Sequence, residues 1–325
     1  MRHSDPLALL DPAMRRVLVH REKVRATPMH GLTPQQARAR YTTAAGILDI
    51  SSAAMARTDD FSVTARDGHP IPVRLYAPLD GPLPTLLYFH GGGFTIGSIQ
   101  THEALCRQLA HLSGCAVLAP DYRLAPEFRF PVAFEDAWDV LAWAAHEGDR
   151  WHIIPSQLAI GGDSAGGTLA AACAIQARDT QLPLALQLLF YPGTAGHQNT
   201  PSHSRFGQGF LLERADIDYF FGQYLRNDDD RNDWRFAPLD GLRGDGQVAD
   251  LSDVAPAWVG LAECDPLVDE GIQYADRLRM AGVPVDLEIY SGVVHEFIKM
   301  GRALPQALQA HRDAAQAMRR AFGLA

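Results

Sequence analysis

Between the apolar run Leu158-Ala159-Ile160 and a stretch of small residues from Gly167 to Ala174 lies Gly162-Asp163-Ser164-Ala165-Gly166. A G-x-S-x-G in that setting demands a strand that turns abruptly into a helix, with the serine at the apex in strained backbone. Side chains at 162 and 166 would crowd such a turn, which is why glycine occupies both. The expected result is a serine hydroxyl lifted clear of a sheet. Glycine and serine are also ordinary turn residues, so the pentapeptide by itself fits a plain loop. Its weight comes from the rest of the chain.

Strand patterns begin at Phe61 and Ile71, separated by the hairpin signal Asp67-Gly68. From there strands and helices alternate: strands over 85–89, 116–119, 158–161, 185–191, 257–261 and 285–290, helices over 102–112, 132–146, 165–177, 269–280 and 305–322. Such alternation predicts an α/β fold with a mostly parallel eight-stranded sheet, helices on both faces, and sites beyond the carboxyl ends of its strands. Two segments stand outside it. The first fifty residues read as helices, the second starting at the capping box Thr33-Pro34-Gln35-Gln36 and continuing one apolar face through Tyr41, Ala44, Ala45 and Leu48. Between Gly193 and Trp234 there is no strand pattern, but Ile217, Phe220, Phe221, Tyr224 and Leu225 share one helical face. The organisation expected is cap helices over 1–50, core over 51–194, a cap insertion over 195–235, and core again over 236–325.

A chain of 325 residues, 47% hydrophobic, builds one large domain with a cap without needing a disulfide framework. The net charge of −9, with no basic run, argues against a nucleic-acid partner. Cys106, Cys115, Cys173 and Cys264 show no metal-binding spacing and read as buried thiols. Charges at Arg2, Asp5, Asp11, Arg15 and Arg16 interrupt the apolar core that a signal peptide requires, and no segment reaches the roughly 18 apolar residues of a membrane span. A cytoplasmic protein without membrane insertion is expected.

A serine hydroxyl is a weak nucleophile and needs a base within hydrogen-bond reach. Of the thirteen histidines, His295 follows the last strand, where a loop can lean over the sheet edge. The base needs a carboxylate to fix its tautomer. Asp265 leaves the preceding strand just before Pro266 and is the expected partner, with Glu263 in reserve and Asp269 and Glu270 assigned to the start of the next helix. His90-Gly91-Gly92-Gly93-Phe94 follows a buried strand, and consecutive glycines let main-chain donors approach a substrate. Gly92, Gly93 and Ala165 are the expected oxyanion donors. Gly91, Phe94, Phe206 and Phe210 are the expected substrate contacts, with Tyr219, Phe220 and Phe221 as further aromatics of the insertion. No metal site is expected.

Together with Asp121-Tyr-Arg-Leu-Ala-Pro-Glu127 and Asp265-Pro-Leu-Val-Asp-Glu-Gly271, these motifs resemble the hormone-sensitive-lipase family of α/β-hydrolases, the bacterial family IV esterases, over roughly residues 60–325. The resemblance implies the α/β-hydrolase fold, Ser164, Asp265 and His295 as a catalytic triad, the triple-glycine loop as oxyanion hole, and no cofactor. It implies hydrolysis of short- to medium-chain carboxylic esters through an acyl-enzyme. An amidase or deacetylase would use the same machinery, whereas a ligand-binding receptor on this fold would lack the base that His295 supplies. Some relatives dimerise through the sheet edge, which leaves a homodimer open. Two departures stand out. Phe128-Arg129-Phe130-Pro131 replaces the usual His-Pro-Phe-Pro, and Glu296 follows the base where the family generally has a small residue. Glu296 is expected to point to solvent.

Overall fold

The computed structural model describes residues 6–24 and 26–324; Arg2 and Asp5 of the signal-peptide reading lie outside the described residues. Helix α1 (Pro12–Val24) is followed by α2 (Pro34–Ala44), which begins as its sequence dictates. The Gln36 N–H donates to Thr33 Oγ1 at 3.3 Å, the Thr33 N–H donates to Gln36 Oε1 at 3.0 Å, and Pro34 occupies the first turn. The apolar face does not continue to Leu48 as expected. The helix ends at Ala44, and its buried residues are Ala37 and Tyr41.

The chain then runs β1 (Arg57–Thr64), β2 (Pro70–Ala77), β3 (Leu83–Phe89), α3 (Ile99–Ser113), β4 (Ala116–Pro120), α4 (Val132–Glu147), β5 (Ile153–Asp163) and α5 (Ala165–Asp179). It continues through β6 (Gln187–Phe190), α6 (Pro201–Arg205), α7 (Arg214–Tyr224), β7 (Ala257–Ala262), α8 (Val268–Met280), β8 (Val285–Tyr290) and α9 (Pro305–Ala321). The eight strands form one sheet in the order β1-β2-β4-β3-β5-β6-β7-β8. β1 and β2 form the antiparallel hairpin, β2 lies antiparallel to β4, and every other pair is parallel. The central strands β3, β4, β6 and β7 are buried along their whole length, as helices on both faces require. The two edge strands, β1 and β8, alternate between partly buried and exposed residues over most of their length.

From β3 the chain moves to β4 on one side and then to β5 on the other, so the order of the sheet reverses at β3. Loops leaving the carboxyl ends of strands on either side of such a reversal part to opposite faces and leave a crevice between them. Phe89, last residue of β3, pairs with Gly162 of β5, which sets the glycine loop beside the serine turn. A small apolar cluster of Ala37, Tyr41, Ile96 and Phe220, flanked by Met29 and Leu32, joins α2, the loop after β3 and α7 over this crevice. The 195–235 segment holds no strand among the described residues, as its pattern predicts, but it carries the short helix α6, which that pattern does not show.

Candidate active site

Ser164 has φ 53 and ψ −123, left-handed backbone that costs a non-glycine residue on the order of 1–3 kcal/mol. The surroundings hold it there. The Ser164 N–H donates to Phe190 O at 2.9 Å, and its carbonyl accepts from the Thr168 N–H at 3.0 Å. A Cβ at 166 would collide with the carbonyls of Phe89 and His90, so the elbow seats against β3 only because that residue is glycine.

At the elbow the Ser164 hydroxyl lies 2.9 Å from His295 Nε2, and His295 Nδ1 lies 2.6 Å from Asp265 Oδ2. Asp265 is fully buried and its second oxygen accepts from the Leu267 N–H at 2.9 Å. Both loops are pinned, since the Glu263 N–H donates to Tyr290 O and the Cys264 N–H to Val293 O, each at 3.0 Å. Glu263, the reserve carboxylate, is spent on the Gly292 N–H at 2.8 Å. Burial works against a charged imidazole at 295. The charge and hydrogen bond of Asp265, with the charges of Glu296 and Asp163, outweigh it, so the histidine pKa lies above its ordinary value.

The N–H groups of Gly92, Gly93 and Ala165 find no acceptor among the described residues, and all three residues line one cavity with Ser164 and His295. Gly91 does not line it: its N–H donates to Asp163 Oδ1 at 3.0 Å, so it serves the loop. Asp163 also accepts from the Tyr88 hydroxyl at 2.8 Å and faces His102 Nε2 at 3.4 Å. Burial opposes its charge, yet His102 above all, with Lys299 and Tyr88, holds the carboxyl well below the usual carboxylate range. This carboxylate stands inside the G-x-S-x-G pentapeptide, but only the folded chain shows that it anchors the glycine loop.

The cavity wall is mainly apolar. Phe94 lines it, stacked on Tyr224 at 4.0 Å between ring centroids, and Phe220 and Phe221 of α7 face it. Phe206 and Phe210 do not: they pack edge to face against one another at 5.1 Å and are buried outside the lining, and Leu211 and Leu212 take the place expected of them. Tyr219 is also absent from the wall. The departure at 128–131 meets α7, since the Phe130 N–H donates to Tyr224 O at 2.8 Å and Arg129 to Gly222 O at 3.1 Å.

One carboxylate is not where the sequence suggests, and a second stands where expected but does more there. Glu296 does not point to solvent. It lines the cavity and accepts a 2.8 Å hydrogen bond from the Tyr41 hydroxyl. Glu270 stands in the first turn of α8 but is fully buried, accepting from the Thr194 and Ala195 N–H groups at 2.5 and 3.2 Å and lying 3.2 Å from His203 Nε2. Burial pushes its carboxyl above the ordinary range. With Asp269, which accepts from the Ser202 N–H at 2.8 Å, it ties down the chain that leaves β6.

Among the described residues no cluster of His, Cys, Asp or Glu suits a metal ion, all four cysteines are buried and unpaired, and no helix is long and apolar enough to cross a membrane.

A strand–serine–helix elbow facing a glycine loop at the switch of an eight-stranded sheet defines a class, and comparison with known proteins agrees. The family model described as "alpha/beta hydrolase fold" matches residues 86–299. The chain is 41% identical to ethyl acetate hydrolase of Pseudomonas putida, over 86% of this chain and 88% of that one. It is 37% identical to carboxylesterase NlhH of Mycobacterium tuberculosis, over 78% of this chain and 79% of that one. The crystal structure of a serine-to-alanine mutant of LAE6, an α/β-hydrolase enzyme from the metagenome of Lake Arreo, superposes with a TM-score of 0.92 at 34% identity, covering 97% of this chain and 99% of the other. The chain belongs to the α/β-hydrolase fold family, in its hormone-sensitive-lipase branch.

Proposed function

We propose that this protein is a serine carboxylesterase acting on short- to medium-chain acyl esters, with Ser164 as nucleophile, His295 as base and Asp265 as its orienting acid. One observation carries the reading: the unbroken line from Ser164 Oγ through His295 to Asp265, at 2.9 and 2.6 Å, opening into an apolar cavity. Ser164 Oγ attacks the ester carbonyl carbon while its proton passes to His295 Nε2. The charge on the carbonyl oxygen rests on the N–H groups of Gly92, Gly93 and Ala165, and the imidazolium is stabilised by Asp265. Collapse breaks the bond to the alkoxy oxygen, which takes the proton from Nε2 and leaves as the alcohol. Water then attacks the acyl-enzyme with the same proton transfers, releasing the acid and restoring Ser164.

The relatives named above support the ester class, and the apolar side chains of Leu211, Ile217, Phe220 and Phe221 on the cavity wall support a preference for short acyl chains. The segments 1–50 and 195–235 act as the cap and 51–194 with 236–325 as the core, a division supported by the apolar cluster that joins α2 to α7. A reducing cytoplasmic setting suits four buried, unpaired thiols, and the open edge of β8, with Ile289 exposed, is the face for a homodimer. Hydrolysis of p-nitrophenyl butyrate tests the activity. The wild-type chain is expected to turn it over and Ser164→Ala, equally folded by circular dichroism, is expected not to; retained activity in that variant removes the assignment.

A further inference from the structure

The residue after the base is one of the two departures from the pattern of the family it resembles, and its surroundings are built. Glu296 has left-handed backbone, φ 65, a conformation that a small residue such as glycine takes without strain and that burdens a glutamate. Its side chain reaches back to α2. There the Tyr41 hydroxyl donates to Glu296 Oε1 at 2.8 Å and accepts from Lys299 Nζ at 2.9 Å, and the same ammonium lies 4.4 Å from the centre of the Tyr41 ring. Tyr41 is only 9% exposed and lines the cavity together with Glu296. One phenol therefore bridges an anion next to the base and a cation one turn further on, from an element 255 residues away in sequence.

We propose that Tyr41, Glu296 and Lys299 form a positioning clasp for the base: α2 holds the loop carrying His295 through Tyr41, and the two opposite charges that Tyr41 bridges set the field in which His295 gains and loses its proton. The inference rests on His295 being the general base. The groups acting on the imidazole are Asp265 before α8, Asp163 and Ser164 at the end of β5, Tyr191 at the end of β6 with its ring 4.5 Å away, and, from the clasp, Glu296 beside it in sequence, with Tyr41 and Lys299 behind that carboxylate. Of these, Asp265, Asp163 and Ser164 already have assigned work in the triad or the glycine loop. Among the described residues the clasp ties the residue next to the base to α2, while the Asp11 N–H, just before α1, holds the same loop at Gly292 O at 2.9 Å. None of its three residues touches the reacting atoms in the cycle above, so they position and do not catalyse.

Opposite charges make opposite predictions. The base works only when neutral, so activity falls as the pH drops through its pKa. Removing a neighbouring anion favours the neutral imidazole and extends activity to lower pH, and removing a neighbouring cation does the reverse. For kcat/KM on p-nitrophenyl butyrate between pH 5 and 9, Glu296→Gln is expected to move the acid limb down by about half a pH unit and Lys299→Met to move it up by a similar amount. Tyr41→Phe keeps the ring but frees both charges, and is expected to lower kcat about fivefold with KM changed less than about twofold, the pattern of a loosened base. Glu296→Gly suits the left-handed backbone and guards against misfolding: it should melt no lower than wild type and still shift the limb downward. Limbs that superimpose on wild type, or that move in the same direction for the Glu296 and Lys299 variants, overturn the clasp. Failure of the wild-type chain to hydrolyse any ester would instead remove the esterase reading, before any variant is made.

Discussion

Ser164, His295 and Asp265 meet because three separate strand ends deliver them to one crevice, and at this scale the chemistry turns on the imidazole. With Asp265 at 2.6 Å, the proton on Nδ1 is fixed and Nε2 is left to accept from the serine. Asp265→Asn is expected to lower kcat by about 10⁴-fold, while Glu263→Gln, whose carboxylate serves the Gly292 N–H, should stay within about threefold of wild type. Steady-state kinetics on one substrate separates the two. Because the histidine pKa is raised, by Asp265 and the neighbouring charges against the opposing effect of burial, the acid limb of kcat/KM should have its midpoint above the ordinary 6.5. A midpoint at or below that value contradicts the electrostatics. The three residues that meet here were legible in the sequence, each standing in a motif beside a strand end. Glu296, Glu270 and Asp163 were not, since what each does depends on Tyr41, His203 or His102, brought in from remote parts of the chain.

Among the elements, α7 packs directly on the glycine loop. Gly93 has φ 56, and a Cβ there would run into the ring of Phe220, which packs directly on the loop. Gly93→Ala combines backbone strain with that collision and should displace a main-chain donor. The expected loss is about 10²–10³-fold in kcat, the scale of one missing oxyanion donor, with the fold retained by circular dichroism. Near-normal turnover would mean that the donors lie elsewhere. On the far side of the same loop, Arg38 of α2 donates to Thr95 O at 2.8 Å and to Ala125 O at 2.7 Å, so the N-terminal helix braces the loop. Most elements could be read from periodicity and caps, the Thr33 box above all. The period of α7 also identified its apolar face, but could not tell that Phe220 and Phe221 would meet the cavity while Tyr219 turned away, or that Phe206 and Phe210 would satisfy each other. Those outcomes are set by packing between segments that the sequence does not place side by side.

For the molecule as a whole, the reversal of strand order at β3 sets Ser164 and His295 in a cavity whose wall also draws on two separate stretches, Arg21, Met29 and Tyr41 from one side and Leu211, Ile217, Phe220 and Phe221 from the other. The alternation of strands and helices foretold a parallel sheet but not the order of its strands, because periodicity carries no information about which strand is whose neighbour. Across p-nitrophenyl esters from C2 to C16, kcat/KM is expected to peak at C8 or shorter and to be lower by about 100-fold or more at C16, as the apolar side chains of Leu211, Phe220 and Phe221 on the cavity wall restrict the acyl chain. A profile still rising at C16 would require a groove open at its far end. The most direct measurement on the molecule is covalent trapping with an alkyl phosphonate, followed by peptide mass mapping. Loss of activity in step with a single adduct on Ser164, prevented by Ser164→Ala, is the expected result; full inactivation with the label on another residue, or hydrolysis that survives complete labelling of Ser164, would contradict it.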